Sequence, residues 1–101
     1  MSATATVSKT ESQGGLMAYA TVTDGTTSQD LAVFVSPATA NSIPAAELDT
    51  YLQARVLFGT DHADSALALV QPLASGTAPT KAGEPDTRNW AALWVDGRIL
   101  S

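Results

Sequence analysis

Residues 16–23 read LMAYATVT, and this stretch decides the fold class that the sequence predicts. Its first, third, fifth and seventh residues are leucine, alanine, alanine and valine, which is the period-two pattern of a β-strand with one apolar face. Asp24-Gly25 follows at once, and an Asp-Gly pair after a strand is a strong signal for a β-hairpin turn. The sequence therefore predicts an antiparallel sheet built around residues 16–23.

The segments on either side extend this sheet. Residues 2–10 alternate small and Thr or Ser side chains, which favours a strand or an extended arm, with a frayed terminus as the alternative. Gly14-Gly15 is a turn signal between this segment and the next strand. Leu31–Val35 is apolar at every position, which predicts a central strand that is buried on both faces.

One helix is predicted near residues 44–58. Pro44 suits a first helical turn, and Gly59 suits the position after the last one. Leu48, Leu52 and Val56 recur every four residues, which makes a single apolar stripe.

Two later segments fit either a strand or a helix. We predict residues 65–73 as a short buried strand, because the segment is short and contains Pro72, although its Leu and Ala residues favour a helix. We predict residues 90–95 as one arm of a hairpin that turns at Asp96-Gly97, although the spacing of its large apolar residues also matches a helix. The predicted fold class is therefore mostly β, with α+β as the alternative: a small antiparallel sheet, or a sandwich or barrel, with one helix near residues 44–58.

The 101 residues fit one domain, residues 1–101, with a thin core. Leu, Ile, Val and Phe together number only 21, whereas alanine alone numbers 18. Residues 1–12 would form an extended N-terminal arm. Residues 74–89 contain two prolines and two glycines and almost no large apolar residue, which predicts a long loop. This loop is either a flexible surface excursion or an arm that becomes ordered against a neighbouring subunit.

Charge and composition disfavour several classes of function. The net charge is −5, and the five basic residues are scattered along the chain, so neither nucleic acid nor an anionic membrane is an expected partner. The chain has no cysteine, and we see neither a signal peptide nor a membrane-spanning segment in it. Its acidic character would suit a basic protein partner.

No catalytic, cofactor or metal site is predicted. His62 is the only histidine, and it lies between Asp61 and Asp64. A carboxylate beside a histidine can orient it as a base, but a polar turn between two elements explains these residues better. No serine lies in a Gly-x-Ser-x-Gly pattern.

The predicted interaction residues fall into three groups. Tryptophan is enriched both in protein interfaces and in small cores, and we favour the core for Trp90 and Trp94 while keeping them as interface candidates. The other candidates are on the N-terminal segment and the long loop. The full set is Thr4, Thr6, Val7, Thr80, Lys81, Glu84, Trp90 and Trp94.

Three features resemble the small virion proteins of tailed phages, in particular the head decoration proteins of the lambda type. These features are the Ala/Thr/Ser-rich residues 2–10, the string Asp24-Gly25-Thr26-Thr27, and Leu31-Ala32-Val33 soon after it. The resemblance implies a β-rich protein in the virion or the host cytoplasm. It would sit on a capsid lattice, often as a trimer, with an N-terminal arm that is ordered only when bound. The early helix, the late loop and the tryptophan segment depart from that type.

Three functions are compatible with the sequence. The first is a non-enzymatic structural or assembly protein without a cofactor, in particular a capsid decoration or head-tail component that contacts other virion proteins. The alternative is an acidic binding module, of the inhibitor or immunity type, that acts on a basic partner. A small enzyme that uses Asp61, His62 or Asp64 ranks last.

Overall fold

The protein is an α+β domain, described here by a computed structural model over residues 3–96. A three-stranded antiparallel sheet comes first and helices follow it. The strands lie in the order β1-β2-β3, and they are β1 (Thr4–Ser12), β2 (Gly15–Thr23) and β3 (Ser28–Val35). The helices are α1 (Pro37–Ser42), α2 (Leu48–Gly59), α3 (Ala63–Val70) and α4 (Trp90–Val95), with short 3₁₀ turns at Ala45–Glu47 and Gln71–Leu73.

The predicted fold class, mostly β, is wrong. Helices make up 40% of the structure and strands 28%, and the sheet is a single open one, not clearly part of a sandwich or a barrel. A helix does lie in the segment 44–58. It begins only at Leu48, because residues 45–47 form a 3₁₀ turn after Pro44.

The two ambiguous segments are both helical, so both strand predictions are wrong. Residues 65–70 belong to α3, where Ala66 and Val70 lie four residues apart and are both fully buried. Pro72 follows the helix within a 3₁₀ turn and does not interrupt it. Residues 90–95 form α4 rather than a hairpin arm, and Gly97 of the predicted turn lies outside the described residues.

The first two strands form a tight hairpin. Gln13 and Gly14 make its two-residue loop, with φ of +52° and +82°. Positive φ at both positions is typical of a type I′ turn, whose twist matches that of the strands it joins. The strand predicted over residues 16–23 is confirmed as β2, and the turn predicted at Asp24-Gly25 joins it to β3.

The prediction of a buried central strand at Leu31–Val35 is wrong, since these residues belong to the edge strand β3. Val35 is buried, but Phe34 is 43% exposed. The segment is apolar on both faces because the solvent-facing side of this sheet itself carries aromatic residues. The central strand is β2, whose Ala18 and Val22 are almost fully buried.

Helix α2 covers the inner face of the sheet and contributes more residues to the core than any other element. It packs beneath β1 and β2, and the predicted stripe of Leu48, Leu52 and Val56 is buried. Helices α3 and α4 complete the helical layer, α3 packing along α2. On the opposite face of the sheet, Tyr19 and Phe34 are exposed.

Substitution of Gly15 tests the close approach of β2 to the backbone at the end of β3 and the start of α1. A β-carbon on Gly15 would lie 2.2 Å from the Val35 carbonyl oxygen and 3.2 Å from the Pro37 nitrogen. Both are backbone atoms that cannot rotate away, so we expect Gly15→Ala to lower the free energy of unfolding by about 1–3 kcal/mol, measured in urea.

The matched control is Gly59→Ala at the end of α2, where a β-carbon would meet no atom within 4 Å. This change should be neutral, or stabilising by up to about 1 kcal/mol, because alanine loses less backbone entropy than glycine in a helix. Equal effects of the two substitutions would contradict the close approach at Gly15.

Candidate interaction surface

The face of the sheet that points away from the helices is the main candidate surface, and we call it the outer face. Its side chains come from alternate residues of the three strands and are exposed or half-buried. They are Thr4, Thr6, Ser8 and Thr10 of β1, Met17, Tyr19, Thr21 and Thr23 of β2, and Ser28, Asp30, Ala32 and Phe34 of β3.

Large apolar side chains lie near the middle of the outer face. Tyr19 is 56% exposed and Phe34 is 43% exposed. Met17 lies directly opposite Phe34 in the strand register, and Tyr19 lies opposite Ala32. Because alanine is small, a shallow hollow of about 360 Å³ opens beside the tyrosine ring. The outer face therefore offers both projecting aromatic rings and a depression to receive a side chain.

The rest of the outer face is polar and nearly uncharged. Thr21 donates a hydrogen bond to Asp30 at 2.8 Å, and the Thr23 and Ser28 hydroxyls are 2.9 Å apart. Asp30 is the one ionisable side chain among the Thr, Ser and apolar residues of this face, apart from the phenol of Tyr19. Much of the negative charge of the chain thus lies away from the outer face.

The N-terminal candidates divide between the two faces of the sheet. Thr4 and Thr6 lie on the outer face, opposite Thr23 and Thr21 of β2. Val7 faces the helices and is half-buried against the core. Residues 4–12 form a strand of the sheet in this structure, rather than an arm separate from it.

The loop candidates lie at the tip of the long loop. Glu84 accepts hydrogen bonds from the backbone N–H groups of Thr80 and Lys81, at 3.0 and 3.2 Å, which closes a small turn. Glu84 therefore serves the conformation of the loop itself. All three residues are exposed.

The two ends of this loop are joined by Asn89. Its side-chain oxygen accepts hydrogen bonds from the N–H groups of Ser75 and Ala92, and its side-chain nitrogen donates to the Leu73 carbonyl at 2.7 Å. The bond to Ala92 also makes Asn89 the N-cap of α4. A single amide thus closes the loop and starts the last helix.

Arg88, next to Asn89, secures the same end of the loop. Its side chain is only 5% exposed, and it pairs with Asp86 at 2.7 Å and with Asp96 at the end of α4. These hydrogen bonds to carboxylates hold the pKa of Arg88 above its usual range. The last residues of the loop are therefore tied to α4 at both ends of that helix.

The tryptophan candidates lie on α4 and contribute mainly to packing. Trp94 is 2% exposed, which places it in the core. Trp90 is half-buried and donates its indole N–H to Glu47 at 2.7 Å. Both rings meet Tyr51 edge-on, with ring centroids 5.4 and 5.6 Å apart. This aromatic cluster attaches α4 to α2.

His62 lies in the turn between α2 and α3. Its Nδ1 is 3.1 Å from the Thr60 hydroxyl, and its Nε2 is 3.8 Å from an Asp24 carboxylate oxygen in the β2–β3 turn. Asp61 has a φ of +66°, as in a tight turn. Across residues 3–96, no three His, Cys, Asp or Glu side chains are grouped so that they could hold a metal ion.

The predicted interaction residues include part of the outer face but not its most prominent residues. Thr4 and Thr6 are among them, whereas Tyr19 and Phe34 are not. The sequence feature that indicates these two residues is the amphipathic second face of residues 16–23, together with the apolar run at residues 31–35.

None of the helices in the described part of the chain has the length and apolar character needed to cross a membrane. Comparisons of the chain with protein-family models, with curated proteins and with solved structures find no match.

Substitution of Asn89 tests whether its amide stabilises both the loop and α4. We expect Asn89→Ala to lower the free energy of unfolding by about 2 kcal/mol, because it removes the helix cap and leaves the Leu73 carbonyl without its donor. Asn89→Asp keeps the accepting oxygen but loses the donor, and it should cost less. Urea denaturation of both variants measures this, and equal losses would contradict the capping role.

The β2–β3 turn predicts a dependence of stability on pH. The backbone N–H groups of Thr27 and Thr26, and then the Thr26 hydroxyl, hold the pKa of Asp24 well below its usual range. An unfolded aspartate has a pKa of about 3.9, so the stabilisation is complete well above that pH and declines as the pH falls below it.

We therefore expect Asp24→Asn to lower the melting temperature near neutral pH, with the difference from the unmodified protein shrinking as the pH falls below about 4. Thr26→Val removes a hydroxyl but keeps the backbone N–H of Thr26. Most of the pH-dependent stabilisation by Asp24 should therefore remain in this variant. A difference that is constant from pH 7 to acid would show that the carboxylate charge is not what the turn requires.

Proposed function

We propose that this chain is a non-enzymatic structural protein that works through protein–protein contacts, as a small virion component of the decoration or head-tail type. The observation that carries the proposal is the outer face, with exposed aromatic side chains in a nearly uncharged Thr- and Ser-rich sheet. Helix α2 covers the other face of that sheet.

Tyr19 and Phe34 are the residues that would anchor such a contact. Aromatic side chains bring a large contact area with few rotatable bonds, and they are enriched in the centres of protein interfaces. The Thr and Ser hydroxyls around them resemble the polar rim that surrounds an interface core. The hollow beside Ala32 is a depression in which a complementary side chain of the partner can bind.

The shortage of charge on the outer face favours assembly of copies of this chain. Two molecules of net charge −5 repel each other, and contact through a face with one carboxylate keeps most of that charge apart. A contact of this kind depends on apolar and hydrogen-bonding complementarity, so it should be insensitive to salt.

The virion assignment rests on the resemblance to decoration proteins. Two of its three strings lie in one hairpin of the structure: Asp24–Thr27 forms the β2–β3 turn, and Leu31–Val33 lies in β3. The third string, residues 2–10, overlaps β1. The same three-stranded sheet thus carries both the resemblance and the candidate surface.

Light scattering after size exclusion, at low and at high salt, tests the proposal. We expect a defined oligomer at both salt concentrations, and we expect the double variant Tyr19→Thr/Phe34→Thr to be monomeric because it removes both anchors. Phe58→Thr is the matched control, since Phe58 is a similarly exposed phenylalanine on α2 rather than on the sheet.

A monomer under all conditions, or an oligomer that survives the double substitution, would overturn assembly through the outer face. A monomer that binds a basic protein with an affinity that falls steeply as salt rises would instead support the acidic binding module.

A further inference from the structure

In the part of the chain that the structure describes, strand β1 has a free edge whose backbone groups can be assigned. Ser12 and Gly15 flank the two-residue turn and form a hydrogen-bonded pair, and such pairs alternate along an antiparallel ladder. The even-numbered residues of β1 therefore bond to β2, and the odd-numbered ones point their N–H and C=O groups away from it. The N–H of Ala3, another odd-numbered residue, donates to the Ser65 hydroxyl at 3.0 Å. Ser65 belongs to α3 and not to β2, so this bond agrees with the assignment.

An apolar groove lies directly beside this edge. It has a volume of about 280 Å³ and runs between β1, α2 and α3. Ala5 lines it on the strand side, Leu57 on α2, and Ala68 and Leu69 on α3. Leu69 is half-buried and Ala68 is exposed, so the groove face of α3 is only partly covered.

The helical layer extends past the edge of the sheet. Since the Ala3 N–H points away from β2 and meets Ser65, the start of α3 lies on the open side of β1. Helix α2 lies beneath β1 and β2, and α3 packs beside α2. Within residues 3–96, the groove face of α3 therefore has no strand above it.

We propose that an extended segment of a partner chain adds to the sheet as a fourth strand along the free edge of β1, with alternate small aliphatic side chains in the groove. Backbone hydrogen bonds to an exposed sheet edge supply affinity, and pockets for alternate side chains supply specificity. The inference rests on the proposed function, because it names the kind of partner that an assembly protein of this shape binds.

A second folded copy does not fit this edge. If its own β1 paired with β1, the α2 helix beneath that strand would enter the space that α3 occupies. An extended segment carries no helix beneath it, so it can cover α3 without a clash. The occupant is therefore a peptide-like strand whose parent domain lies elsewhere.

Charge around the groove indicates where this segment would carry basic residues. Ser65 lines the groove and also a neighbouring hollow that contains Asp61 and Asp64. This acidic end adjoins the start of β1. In an antiparallel arrangement, which the rest of the sheet already has, the carboxyl end of the added strand lies there. Basic residues near that end of the segment would complement the two aspartates.

The test uses a fluorescently labelled peptide of sequence TVTVTVTKK and the whole protein. We expect saturable binding by fluorescence anisotropy, with NMR amide shifts concentrated at the free N–H groups of Ala5, Val7 and Lys9. The same peptide N-methylated at alternate residues on its strand-pairing edge should bind about tenfold more weakly or worse, because it cannot donate to β1. A peptide ending in two glutamates should also bind more weakly.

Ala68→Lys should weaken peptide binding by about tenfold or more, because it places a charged chain in the groove from an exposed position that the fold does not need. Ala38→Lys, the same change on an exposed alanine of α1, is the matched control and should leave binding unchanged. Val7→Pro removes one free N–H without touching the β1–β2 ladder, and it should weaken binding too.

Failure of the peptide to bind, equal binding by the N-methylated peptide, or equal effects of Ala68→Lys and Ala38→Lys would overturn the proposal. Its failure is separable from failure of the proposed function. The Tyr19→Thr/Phe34→Thr variant changes only the outer face and should still bind the peptide, whereas Ala68→Lys should still form the oligomer.

Discussion

The packing of α2 against the inner face of β1 and β2 is the constraint on which the rest of the structure depends. The central strand presents alanine at positions 18 and 20, so the helix can lie close to the sheet and bury Leu52 and Leu57 almost completely. The two ends of α2 are also connected to the sheet side of the domain. Lys9 pairs with Asp49 at one end, and His62 approaches Asp24 just beyond the other. Helices α3 and α4 pack on α2, so their positions follow from it.

The parts of the fold that the sequence predicted are those decided by neighbouring residues. The two hairpin turns and the strand at residues 16–23 depend on local turn chemistry and a period of two, and the stripe of α2 depends on a period of four. Residues 65–73 and 90–95 are short apolar segments that satisfy both periods. Their conformation is decided by distant partners, such as Tyr51 for Trp94, and no local pattern contains that information.

The candidate site could be predicted only in part for a related reason. Exposure of Tyr19 and Phe34 depends on which face of the sheet the helices cover, and that is a property of the whole chain. The apolar run at residues 31–35 predicts a strand buried on both sides, because two apolar faces normally mean two covered faces. Here one of them is an exposed aromatic surface. The groove beside β1 cannot be predicted from the sequence either, since it arises from the position of α3 relative to the sheet edge.

The closure of the long loop by Asn89 has a consequence for how the protein can vary. Because the bonds between Asn89, Ser75 and Leu73 fix the two ends, the mostly exposed tip at residues 77–85 lies outside the closed part of the loop. Lengthening a closed loop adds little entropic cost, roughly 0.6 kcal/mol for each doubling. The tip is thus a natural insertion point, where foreign peptides or whole modules can be displayed while the sheet and its two proposed binding surfaces keep their shape.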